Sequence, residues 1–103
     1  MSEIRNPGPD LQTQLENGDV EAALYAIHGL SGEQDARIFH EVAALTNTGI
    51  TISSGDKIAD LAATGLIESL GLKPSFGKKP SGVGYSSDEL AEVRKLVIDN
   101  VPQ

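Results

Sequence analysis

Histidine, the side chain best suited to proton transfer and metal binding near neutral pH, occurs only twice, at His28 and His40. Neither has a carboxylate at a recognised metal-ligand spacing. The pair His40-Glu41 does not continue to the second histidine of the zinc-binding His-Glu-x-x-His motif. We therefore expect no metal site and no cofactor, and we expect His40 to lie on a solvated helix face.

The sequence lacks two further motifs, the phosphate-binding P-loop and the nucleophile turn of serine hydrolases. The run from Gly71 to Lys79 has the composition of a phosphate-binding P-loop, but its glycines are one residue too far apart. Lys79 also stands where a Ser or Thr would hold magnesium. No serine lies in the Gly-x-Ser-x-Gly turn that exposes a hydrolase nucleophile. Nucleotide binding and serine hydrolysis are therefore not predicted.

The composition indicates a small acidic protein with one domain. The chain has 103 residues, and 15 acidic side chains against 8 basic ones give a formal charge of −7, which would repel a nucleic acid. Cysteine is absent, and we see neither a signal peptide nor an apolar stretch long enough to cross a bilayer. We therefore expect a cytoplasmic protein that binds neither nucleic acid nor membranes.

The elements that would position any functional residue are helical in period. Residues 1–9 carry two prolines and a glycine and are predicted to be a disordered lead-in to a single helical domain at 10–103. Asp10 and Asp19 are suited to cap two short helices, the second of which should end before Gly29. Ser31 and Gln34 have capping-box spacing and predict a third helix, running to about Thr46.

The second half of the chain predicts two more helices around a breaker-rich loop. Residues 48–55 alternate β-branched side chains and favour a connector, whose only candidate strand partner is 83–85. A helix should start near Asp56 and end at Gly71, with Gly65 as a candidate break. A flexible loop is predicted at 73–85, and Ser86 with Glu89 should cap a last helix.

These patterns together predict a mainly α fold. The expected architecture is a small bundle of four to five short helices, with at most one minor two-stranded ribbon. Phe39 is the largest apolar side chain of the third helix, so we expect it to be buried in the core.

One stretch also resembles a known family. The residues that carry the resemblance are Leu11-Gln12-Thr13-Gln14-Leu15-Glu16-Asn17-Gly18, Ala23, Ile27-His28-Gly29-Leu30, Asp35 and Phe39-His40-Glu41-Val42-Ala43-Ala44-Leu45-Thr46. Over 11–46 the chain resembles the N-terminal region of the CheZ-type chemotaxis phosphatases. The resemblance implies a helical hairpin that dimerises and acts on a response regulator. The family's catalytic Asp and Gln, one helical turn apart, are matched in spacing only by Asp10 and Gln14, which lie at the opposite end of the chain from the family's catalytic segment.

Our first hypothesis is a non-enzymatic regulatory or adaptor protein that contacts another protein. The resemblance makes a response regulator its concrete partner, and a homodimer is a further prediction. The alternatives are a small CheZ-type phosphatase and an acidic phage or plasmid accessory protein that blocks a partner. The residues predicted to touch the partner are Ile67, Leu70, Leu72, Lys73, Lys78 and Lys79. For the three apolar ones, burial in the core is the favoured alternative, and for the lysines, a solvated loop.

Overall fold

The computed structural model describes residues 11–33, 35–77 and 84–101, and within them the fold is helical. The helices are α1 (Leu11–Glu16), α2 (Val20–His28), α3 (Ala36–Leu45), α4 (Ile58–Leu70) and α5 (Ser87–Asn100), with a 3₁₀ helix (Gly29–Gly32) directly after α2. The predicted fold class, a mainly α bundle of short helices, is confirmed. The lead-in predicted at 1–9 lies outside the described residues.

Two of the predicted helix starts are formed by the expected side chains. The carboxylate of Asp19 accepts a hydrogen bond from the backbone N–H of Ala22 at 3.1 Å, which satisfies one of the free donors at the start of α2. Ser86 and Glu89 form a complete capping box at the start of α5, each side chain accepting from the other's backbone N–H. Both caps are confirmed.

The predicted start of the third helix is wrong. Ser31 lies inside the 3₁₀ helix rather than at a cap, because the chain continues turning after α2. The N-cap is Asp35, whose carboxylate accepts from the backbone N–H of Arg37 at 2.9 Å. It also pairs with the Arg37 guanidinium at 3.2 Å, and these bonds lower the pKa of Asp35. Gln34, the other half of the predicted capping box, lies outside the described residues.

The segment between α3 and α4 is a connector closed by local hydrogen bonds. The N–H of Ile52 donates to the carbonyl of Asp56 at 2.9 Å, and that of Ile58 donates to the carbonyl of Ile50 at 3.0 Å. Thr51 and Lys57 form one isolated antiparallel bridge. Residues 50–52 therefore pair locally with 56–58 at the start of α4, and Val83 of the candidate partner 83–85 lies outside the described residues.

Helix α4 lies at the centre of the bundle, in contact with α2, α3, α5 and the 3₁₀ helix. It begins at Ile58, two residues after the predicted start, and runs unbroken through Gly65. The predicted break at Gly65 is not formed. Gly71 ends the helix in the left-handed conformation, with φ of +63°, which a residue without Cβ adopts readily.

The buried apolar side chains form one cluster to which all five helices contribute. Phe39 is 7% exposed, so its predicted burial is confirmed. The largest completely buried apolar side chains are Leu30, Leu45, Ile58, Leu66, Val42, Val93 and Val97. The core is therefore almost wholly aliphatic, as the low aromatic content requires.

Candidate functional site

The apolar residues predicted to touch a partner are part of the bundle's own core. Ile67 and Leu72 are each 8% exposed, and Leu70 is half-buried against the same cluster. Their position agrees with the alternative of core burial. A partner could reach Ile67 or Leu72 only if α4 separated from its neighbours, at the expense of the apolar area buried there.

The structure describes only one of the three lysines predicted to touch a partner, and only one residue of the Asp10–Gln14 pair. Lys73 is exposed immediately after α4 and Leu72, whereas Lys78 and Lys79 lie outside the described residues. Gln14 is half-buried on α1, and Asp10 lies outside the described residues. The structure therefore provides no geometry for a lysine cluster or for an Asp10–Gln14 site.

The chain after α4 is tied to the bundle by polar side chains on both sides of residues 78–83. Before them, the hydroxyl of Ser75 donates to Glu92 on α5 at 2.7 Å, and the Ser75 backbone N–H donates to the same carboxylate. These two bonds, the backbone one foremost, lower the pKa of Glu92. After them, the Tyr85 N–H donates to Asp60 of α4 at 3.1 Å. Phe76 and Tyr85 meet edge to face at 5.8 Å between ring centroids.

A second polar group joins α3 to α5. His40 is half-buried, and its Nε2 lies 2.9 Å from the carbonyl oxygen of Val101. Since a carbonyl only accepts, His40 Nε2 must carry the proton. Arg94 donates to the hydroxyl of Thr46, a side chain 2% exposed, at 2.9 Å. The expectation of a solvated His40 is therefore wrong, because the end of α5 covers it. These contacts fasten the two helices together.

Two large apolar side chains in the described ranges remain mostly in solvent. Tyr25 on α2 is 85% exposed, and Ile98 on α5 is 57% exposed. An exposed tyrosine is a candidate contact residue, because Tyr is enriched among the residues that dominate binding energy at protein interfaces. Helix α5 also carries a shallow depression of about 490 Å³. The depression is lined by Asp88, Ala91, Glu92, Lys95, Leu96 and Asp99.

Tyr25 lies on a defined helix face. Glu21 is one turn before it and His28 nearly one turn after, so the three side chains lie in a row on the exposed side of α2. Ala23 and Ile27 occupy the buried side. We call Glu21, Tyr25 and His28 the α2 outer face. The sequence reasoning did not select Tyr25, although a helical projection of residues 20–28 places it opposite the apolar stripe.

The described residues form neither a metal cluster nor a membrane-spanning helix. Within 11–33, 35–77 and 84–101, no group of three or more His, Asp or Glu side chains is arranged to hold a metal ion. None of the described helices is both long and apolar enough to span a bilayer. Comparison with known proteins finds no matching family model, curated protein or solved structure. The α2 outer face is the candidate site because it presents the most exposed large apolar side chain among the described residues.

Proposed function

We propose that this protein is a non-enzymatic regulatory or adaptor module that acts by contacting another protein. The observation that carries the proposal is Tyr25, a large aromatic side chain 85% exposed on a helix whose other side is buried. Its helix is held by contacts with α1, α3 and α4, so Tyr25 is presented on a packed support. Because the backbone beneath Tyr25 is already ordered, a partner that covers the ring does not have to order the helix that carries it.

The concrete partner that we propose is a response regulator, in a cytoplasmic signalling setting. This choice rests on the resemblance of residues 11–46 to CheZ-type proteins. That stretch includes α1, α2 and α3, so Tyr25 lies within it. The longest described helix has 14 residues, and the long hairpin of that family is not formed in the described ranges. We therefore propose that the protein binds the response regulator, not that it dephosphorylates it.

Site-specific photo-crosslinking in the native host tests whether the α2 outer face meets a protein. A photoreactive phenylalanine analogue at Tyr25 should give a discrete protein adduct, because the position is exposed and central to the face. The same analogue at Ser53, which is exposed in the α3–α4 connector, serves as the control. Adducts of equal yield at both positions, or at neither, would contradict the proposal.

The response-regulator version has a separate test. Backbone NMR shifts of the protein would be followed while a receiver domain is added, once unmodified and once with its aspartate phosphorylated. Binding should shift the resonances around Tyr25, and the rate of phosphate release should stay the same with and without the protein. Faster release that a Gln14→Ala variant abolishes would instead identify a phosphatase.

A further inference from the structure

The stretch of sequence that includes α2 carries acidic residues but no lysine or arginine. No lysine or arginine occurs between Arg5 and Arg37. Over the same stretch, exposed carboxylates stand at the turn before α2 and along it, at Glu16, Asp19 and Glu21. Of these, Glu21 is one helical turn before Tyr25, so one carboxylate lies next to the ring on the side toward the start of the helix.

Helix α3 adds no net positive charge through its arginine. Helix α3 packs against α2 and carries Arg37 in its first turn. The Arg37 guanidinium is paired with Asp35 at 3.2 Å, and that ion pair has no net charge. Since the whole chain also carries −7, a second copy of the protein or a nucleic acid approaching the face would be repelled.

We propose that the α2 outer face binds an arginine- or lysine-rich segment of a partner protein. A guanidinium would stack on the exposed ring of Tyr25, where the negative face of the aromatic system attracts a cation. The next cation of the segment would meet Glu21, one helical turn away. This inference rests on the proposed function and adds the chemistry of the partner to it.

Fluorescence anisotropy with labelled model peptides tests this chemistry directly. The probes are a short arginine-glycine repeat, the same peptide with lysine, and the same peptide with glutamine in place of arginine. The intact protein should bind both basic peptides and not the glutamine peptide. Added salt should weaken the binding, because the attraction between exposed charges is screened beyond about 8–10 Å at 0.10–0.15 M salt.

Matched variants assign the binding to individual side chains. Tyr25→Ala should weaken binding of the arginine peptide by about fivefold, whereas Tyr25→Phe should keep most of it because the ring remains. Glu21→Gln should weaken binding by about threefold and reduce its salt dependence. Asp99→Asn on α5 removes the same charge from another exposed helix face and should have little effect. Circular dichroism would confirm that each variant keeps its helices.

Three results would overturn the proposal. The first is equal affinity for the arginine and glutamine peptides. The second is an equal loss of binding in Glu21→Gln and Asp99→Asn, which would mean that binding depends only on the total charge of the protein. The third is self-association that Tyr25→Ala abolishes, which would assign the face to a second copy. If the peptides fail while crosslinking at residue 25 still gives an adduct, the partner chemistry is wrong and the proposed function stands. If both fail, both are wrong.

Discussion

Helices α2 and α4 pack against each other, but they are surrounded differently. Helix α4 buries six of its 13 residues and contacts three other α-helices, so nearly half of its circumference is covered. Helix α2 buries two of its nine residues and leaves Tyr25 in solvent. Helix α4 is thus the structural centre of the bundle, whereas α2, although its sequence is as apolar, turns one aromatic side chain to solvent. That exposed side of α2 is the one for which we propose a binding role.

Truncating one side chain on each helix should give the largest difference in the free energy of unfolding between α4 and α2. Leu66→Ala on α4 should lower the free energy of unfolding by about 2–5 kcal/mol, because Leu66 is completely buried. Tyr25→Ala should change it by no more than about 0.5 kcal/mol. Chemical denaturation of both variants measures the two values. A similar loss in both would mean that Tyr25 packs against the bundle in solution.

The contact between the two helices can be tested at Gly65. A Cβ there would lie 3.3 Å from both Ile27 Cγ2 and Leu30 Cδ1, two side chains that are themselves buried. Gly65→Leu should therefore destabilise the protein by about 1–3 kcal/mol through overpacking.

His28→Leu, on the exposed side of α2, is the control for adding a leucine where nothing packs. It should leave the melting temperature nearly unchanged. If Gly65→Leu were also neutral, α2 and α4 could not pack as closely as the structure shows, and the central position of α4 would be in question.

The glycines that follow the two helices should give smaller effects that differ between them. Gly71 after α4 has φ of +63°, whereas Gly29 after α2 has φ of −84°, and a Cβ at either position meets open space. Gly71→Ala should cost about 1 kcal/mol, because the left-handed conformation strains an L-residue. Gly29→Ala should be neutral or slightly stabilising. Equal urea midpoints for the two variants would show that α4 does not end in this conformation.

Much of this fold could be predicted from local signals, because caps act over three or four residues. Asp19, Gly71 and the Ser86–Glu89 pair all perform the roles that their spacing predicts. The prediction failed where two overlapping signals competed. Ser31 had good capping-box spacing, but Asp35 caps α3 and Ser31 continues the preceding turn.

Contacts between distant residues could not be predicted in the same way. His40 meets the carbonyl of Val101, 61 residues away, and nothing near His40 in the sequence indicates that partner. The role of Gly65 was also misread, because a glycine that interrupts a helical pattern and a glycine that admits a neighbouring helix look alike in sequence. The candidate site was missed for a related reason, since the degree of exposure of Tyr25 depends on which elements surround α2.

The smallest expected effect concerns the segment after α4, which is bonded to α5 through Ser75. Two hydrogen bonds from Ser75 lower the pKa of Glu92 from its ordinary value of 4.5. The ionised carboxylate is thus favoured in the folded state. This contribution to stability is present above pH 4.5 and is lost as the pH falls through the lower pKa of the folded protein.

Ser75→Ala removes the hydroxyl bond but keeps the backbone one, so the pKa of Glu92 should rise part of the way toward 4.5. An NMR titration of the Glu92 side-chain carboxyl measures it, with Ser53→Ala as a control at an exposed serine. The variant should be less stable than the parent protein at neutral pH, and the gap should narrow in acid, because protonated Glu92 no longer favours the bond in either protein. An unshifted Glu92 pKa in Ser75→Ala would mean that the Ser75 hydroxyl does not donate to Glu92 in solution.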